Sequence, residues 1–157
     1  MTPLPHTPSI TYSTIKWVTK KIQLDLIYEN CENMRFYDIC WSPELSMFCA
    51  IMQYYKFHNW GEQNIFTSSD GITWIETTLP INDYWQNICW SPELRIFCAI
   101  ANNTNKAITS SDGITWTERT LPINIHNYIN ICWSPKLRMF CVVGEINDNN
   151  ALFGIPE

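Results

Sequence analysis

Carboxylates, arginines, thiols and histidines are the residues of this chain that could do chemistry, and their spacing is set by an internal repeat. The stretch Ile88-Cys89-Trp90-Ser91-Pro92-Glu93-Leu94-Arg95-Ile96-Phe97-Cys98 has near copies beginning at Ile39 and Ile131. Glu44 and Glu93 therefore occupy equivalent positions, as do Arg95 and Arg138, with Ser46 in the remaining copy. Residues related in this way belong to different units, so they read as turn and surface residues rather than as members of one site. Glycoside hydrolysis needs two carboxylates facing each other across a cleft, and the sequence singles out no such pair. His6 lies in a proline-rich arm, His58 in an aromatic-rich loop and His126 in a linker. The chain has no Gly-x-Ser-x-Gly, no phosphate-cradling glycine loop and no His-Glu-x-x-His. No catalytic residue is assigned, and the chain is expected not to be an enzyme.

Six of the seven cysteines form matched pairs, Cys40 with Cys49, Cys89 with Cys98 and Cys132 with Cys141, each flanking one hairpin. With a loop from Pro92 to Arg95, Cys89 and Cys98 fall directly opposite on neighbouring strands, where a cross-strand disulfide is conceivable. Each cysteine is embedded in an apolar run, which favours reduced thiols packed as small hydrophobes. The unmatched Cys31 points the same way, towards a reducing compartment. Zinc spacings are absent, so no metal site is expected, and nothing implies a cofactor.

The elements that must position these residues are strands. In each copy an apolar run, a Ser-Pro turn and a second apolar run predict two strands joined by a tight hairpin. Downstream, Ser68-Ser69-Asp70-Gly71-Ile72-Thr73-Trp74 returns as Ser110-Ser111-Asp112-Gly113-Ile114-Thr115-Trp116, and both copies continue into Leu-Pro-Ile-Asn. One unit is thus hairpin, strand, Asp-Gly turn, strand and Leu-Pro link. The Trp41 to Trp90 and Trp90 to Trp133 spacings of 49 and 43 residues suit propeller blades or similar units. The repeats run over about 36–82, 86–124 and 128–157, within a single domain at 13–157 that follows an extended arm at 1–12. Ile15-Lys16-Trp17-Val18 can be laid over Ile72-Thr73-Trp74-Ile75, so residues 13–25 are a candidate closing strand. The third repeat stops short, with Ala151 to Gly154 aligned over Ile108 to Ser111. The expected fold is all-β and propeller-like, with three four-stranded blade repeats of which the N-terminal strand completes the last. A β-trefoil is the alternative.

The first repeat carries about seven extra residues between its second and third strands. Tyr54, Tyr55, Phe57, His58 and Trp60 concentrate there, and they are the candidate ligand-binding residues. Solvent-facing aromatic rings suit contact with sugar or protein, whereas a longer hairpin would pack the same rings on the domain.

The Ser-Ser-Asp-Gly-Ile-Thr-Trp motif resembles the Asp-box of sialidases and related propellers, Ser-x-Asp-x-Gly-x-Thr-Trp, shortened by one residue between Asp and Thr. Physically it is a turn lock. The side chains of Ser69, Asp70 and Thr73, and of Ser111, Asp112 and Thr115, can bond nearby backbone, Gly71 and Gly113 supply positive φ, and Trp74 and Trp116 bury a ring beneath. The resemblance implies a structural turn away from any ligand face. A sialidase would further need three arginines gripping a carboxylate and a tyrosine nucleophile with a glutamate partner, and only Arg35, Arg95, Arg119 and Arg138 are present.

Aromatic residues make up 14% of the chain and charged ones 16%, a balance that suits packed strands. The net charge of −5 offers no broad attraction to phosphate backbones or anionic membranes, so neither nucleic acid nor membrane is an expected partner. No secretory leader is evident in Met1 to Ser9, which contains three prolines. The expected function is a non-catalytic binding or structural module contacting protein or glycan through surface loops. Self-association, with a homodimer favoured, follows because three blades are too few to close a ring. Richness in Asn, Ile and Tyr suggests an AT-rich coding genome, and similar repeats occur in viral and phage proteins; hence the reading as a virion or fibre component, in the virion or the cytoplasm. A sialidase-like glycoside hydrolase is the alternative.

Overall fold

The structure is a computed structural model that describes residues 16–24, 34–54, 62–145 and 151–155. Those residues form strands and turns with no helix. The first antiparallel meander comprises β2 (Met34–Ser42), β3 (Met47–Tyr54), β4 (Glu62–Ser68) and β5 (Thr73–Glu76). The second comprises β6 (Trp85–Ser91), β7 (Ile96–Ala101), β8 (Thr104–Ser110) and the start of β9 (Thr117–Ser134). The end of β9 opens the third, followed by β10 (Met139–Glu145) and β11 (Leu152–Gly154). Because β9 continues from one meander into the next, the second and third share a six-stranded sheet ordered β11-β10-β9-β8-β7-β6. Neither sheet closes on itself into a barrel.

Register follows from the hairpin turns. Cys40 faces Cys49, Cys89 faces Cys98 and Cys132 faces Cys141, as the four-residue loop requires, with all six thiols unlinked. The same register sets Trp41 beside Phe48, Trp90 beside Phe97 and Trp133 beside Phe140, with ring centroids 4.5, 4.5 and 4.9 Å apart. Such cross-strand aromatic pairs stabilise a sheet beyond simple burial. Phe48 and Phe97 also touch Trp74 and Trp116. Hence hairpin and Asp-Gly turn are tied into one packing unit in each of the first two repeats.

Each hairpin turn is held by a residue whose role the repeat pattern alone did not bring out. The hydroxyls of Ser42, Ser91 and Ser134 accept from the backbone N–H of Leu45, Leu94 and Leu137 at 3.2, 3.2 and 3.3 Å. The last turn residues, Ser46, Arg95 and Arg138, all lie in the left-handed region with φ of 50°, 53° and 52°. Arg95 and Arg138 are therefore equivalent because they close the same turn.

Two expectations are corrected by the register. The segment expected to complete the third repeat joins the first: Lys16 to Lys21 is exposed and outside any strand, and β1 (Gln23–Leu24) lies parallel to β5 at the edge of the sheet ordered β1-β5-β4-β3-β2. Ile22 and Leu24 pack there against the cluster that holds Trp74, which gives the segment an apolar reason to stay. The third repeat is also aligned differently by one residue. Phe140 pairs with Gly154 as Phe97 pairs with Ser110, so Gly154 matches Ser110 and not Ser111. A one-residue slip in a strand exchanges its two faces, and burial of Leu152 decides between them.

The core lies between repeats more than within them. One cluster joins Cys49, Ile51 and Ile65 of the first repeat to Trp85, Ile88, Trp90 and Phe97 of the second. A second joins Ile100 and Ala107 to Ile131, Phe140 and Val142 of the third. At each of the two seams the trailing face of one repeat thus covers the leading face of the next. Strand β2 accordingly packs beside β6, and β6 beside β9.

Candidate interaction surface

The Asp-Gly turns are built almost identically. Asp70 Oδ1 accepts from the backbone N–H of Ile72 and Thr73, each at 2.7 Å, and Asp112 Oδ1 accepts from Ile114 and Thr115 at 2.8 and 2.7 Å. Gly71 and Gly113 take φ of 71° and 75°, where a side chain would be strained. The serine partner is a correction: the hydroxyls of Ser68 and Ser110, not of the exposed Ser69 and Ser111, donate to the aspartate and accept from the glycine N–H at 2.9 and 2.8 Å. The inward-facing serine ends its strand with a buried side chain and so can reach back under the turn. These bonds stabilise the charged carboxylates. The N–H of Thr73, then that of Ile72, hold the Asp70 carboxyl down at about 2, and the N–H of Thr115 chiefly does the same for Asp112.

The indoles beneath differ slightly. Trp74 and Trp116 are both buried, and Trp74 Nε1 donates to the Gly71 carbonyl at 3.3 Å. Thr73 Oγ1 adds a bond to Asp70 Oδ2 at 3.3 Å.

Of the aromatic residues expected at a ligand surface, Tyr55, Phe57, His58 and Trp60 lie outside the described residues. Tyr54 is a core residue and offers no exposed ring. Its hydroxyl donates to Glu76 Oε1 at 3.0 Å, and Asn64 Nδ2 donates to the same carboxylate oxygen. This tyrosine and glutamate could suggest the nucleophile pair of a sialidase. In the second repeat Asn64 and Glu76 are matched by the ion-paired Lys106 and Glu118, without a tyrosine. A tie present in two units is a cross-strand brace.

Burial disfavours the nucleophilic form of four thiols. Cys40 and Cys49 are raised beyond the ordinary range by desolvation, Cys89 to about 11 and Cys98 to about 12 for the same reason. A thiol is a nucleophile only as its thiolate. Among the described residues no cluster of three His, Cys, Asp or Glu could hold a metal ion, and no helix is long and apolar enough to cross a membrane.

The surface that does stand out is the leading face of the first repeat. Ile39 is 51% exposed, whereas its equivalents Ile88 and Ile131 are 3% and 6% exposed; Trp41 is 41% exposed against 7% for Trp90. Phe36 is exposed where the equivalent Trp85 is fully buried. Together with Tyr37, Asp38, Gly71, Trp74 and Ile22, Phe36 and Ile39 line an open groove of about 390 Å3. The Tyr37 hydroxyl donates to Gln53 Oε1 at 2.8 Å, and the Arg35 guanidinium lies over its ring, fixing that wall. These residues escaped notice in the sequence because their copies in later repeats read as core.

No family model matches this sequence, and no curated protein does. One solved structure with some likeness is an N-acetylgalactosamine deacetylase from F. plautii in complex with blood group B trisaccharide, at 14% identity and a TM-score of 0.39. The match covers 67% of this chain and 38% of that one. At that level it carries no argument about activity.

Proposed function

We propose that this chain is a non-catalytic interaction module of propeller type, built from Asp-box-like repeats and contacting protein or glycan through its open leading face and neighbouring loops. The observation that carries the reading is the exposure of Phe36, Ile39 and Trp41 where the equivalent Trp85, Ile88 and Trp90 of the second repeat are buried. A contiguous apolar surface of this kind marks a contact site in a soluble domain. Support for blades comes from the side-by-side first strands β2, β6 and β9 and from the recurrent Asp-Gly turn. The carboxylates with defined partners serve turns and braces, which leaves them engaged in structure. A sialidase-like hydrolase is the second reading, favoured only by the Tyr54 and Glu76 bond.

The test combines a glycan array, a pull-down and a panel of chromogenic glycosides. Replacing Tyr55, Phe57 and Trp60 together with serine should leave the melting temperature nearly unchanged and abolish binding at the loop end. A large fall in melting temperature would place those rings in the core instead. Turnover of any glycoside by the purified chain would establish the hydrolase.

A further inference from the structure

Two open faces of the molecule are the two halves of a contact that the chain makes twice internally. At the first internal seam, Trp90 Nε1 donates to Glu44 Oε2 at 2.7 Å, and Asp38 Oδ2 accepts from the Ile88 N–H at 2.9 Å. At the second, Trp133 Nε1 donates to Glu93 Oε2 in the same way. In both, the glutamate comes from the Ser-Pro turn of the earlier repeat and the tryptophan from the first strand of the later one. Among the described residues nothing covers the trailing face of the third repeat: Val143 is 50% exposed, while its equivalents Ile51 and Ile100 are fully buried. Leu137 and Cys132 are exposed beside it. The first repeat has the matching uncovered leading face, with Ile39 and Trp41.

Resting on the interaction-module reading, we infer that the occupant of the leading face is a second copy of this chain, docked head to tail through the trailing face of its third repeat. Continuity with the internal seams is the argument. The same residue types meet in the same order, and the geometry that seats Trp90 on the first hairpin would seat Trp41 on the third. Such a contact is heterologous, and two copies suffice when the rotation closes on itself. At the indole contact one position differs. Lys136 stands where Glu44 and Glu93 stand in the earlier hairpins, so the Trp41 indole N–H meets no carboxylate there. An ammonium group can lie over the ring face, but it cannot accept the N–H. The seam between copies is therefore weaker than the seams within one, and association is reversible.

Sedimentation of the purified chain over a concentration series tests this. The wild type should pass from one-copy to two-copy mass as concentration rises. Lys136→Glu should lower the midpoint about tenfold, the scale of a hydrogen bond to a charged group. Ile39→Glu and Val143→Glu should each stay monomeric, and mixing them should restore a pair, because one intact leading face then meets one intact trailing face. Should either of those variants fail to fold, the exposed Lys136→Glu comparison decides alone. Monomeric mass at every concentration for both wild type and Lys136→Glu overturns the inference. So does association that survives both Ile39→Glu and Val143→Glu, or folded variants that fail to complement. A strictly monomeric chain that still binds a glycan or protein would leave the interaction-module reading standing without the seam.

Discussion

At the scale of single residues, most polar chemistry in this chain is spent within its own backbone. Asp70 and Asp112 are the clearest case, since their carboxylates replace missing partners for two successive N–H groups in a turn. Both titrate at about 2 when folded, below the ordinary 3.8, because the bonds favour the charged form. The folded state consequently binds fewer protons than the unfolded one between those values. Their contribution is complete above about pH 5 and is lost as pH falls through 4 towards 2. Asp70→Asn with Asp112→Asn should therefore lower stability at neutral pH and flatten the stability profile between pH 4 and 2, measured by denaturant titration across that range. An unchanged acid limb in the double variant would show that other groups set it.

At the scale of the element, the hairpin is the unit that repeats most faithfully, and its turn carries a measurable strain. Arg95 sits at φ 53°, a conformation that disfavours residues with a Cβ by roughly 1–2 kcal/mol. Glycine removes that penalty but loses about 0.5–1 kcal/mol in backbone entropy. Arg95→Gly should thus stabilise the chain by about 0.5–1 kcal/mol, whereas Arg95→Val should destabilise it; thermal melts of the two variants check both signs. Opposite signs would mean that the arginine side chain holds the turn. The hairpins, the facing cysteines and the Asp-Gly turn were legible in the sequence because each depends on neighbours within a dozen residues. The serine assignment was not: Ser68 and Ser69 are the same residue type, and only the strand's pleat decides which points inwards.

At the scale of the whole molecule, the core belongs to pairs of repeats, so stability is not divisible by repeat. Amide exchange should be slowest in β7 and β8, which are flanked on both sides, and fastest in β11 and at the open edge of β2. Trp85→Ala removes a fully buried ring from the first shared cluster and should cost about 3–5 kcal/mol. It should lower protection in β3 as well as in β6. Loss confined to β6 would mean that the repeats fold independently.

What the sequence determined by itself is local and periodic: an all-β chain, three hairpins in fixed register, two Asp-Gly turns and the pairing of cysteines. Repetition makes these legible, since matching copies show which residues serve the unit. What only the tertiary structure decided is everything that depends on the neighbour of a repeat. The N-terminal segment lies on β5 because Ile22 and Leu24 find apolar cover beside Trp74, a preference that no strand pattern encodes. Tyr54 turned inwards to Glu76 for the same kind of reason. Identical residues, Ile39 and Ile88, became surface and core because burial is a property of what lies opposite: the first repeat packs over Ile88, and no described residue covers Ile39 in that way.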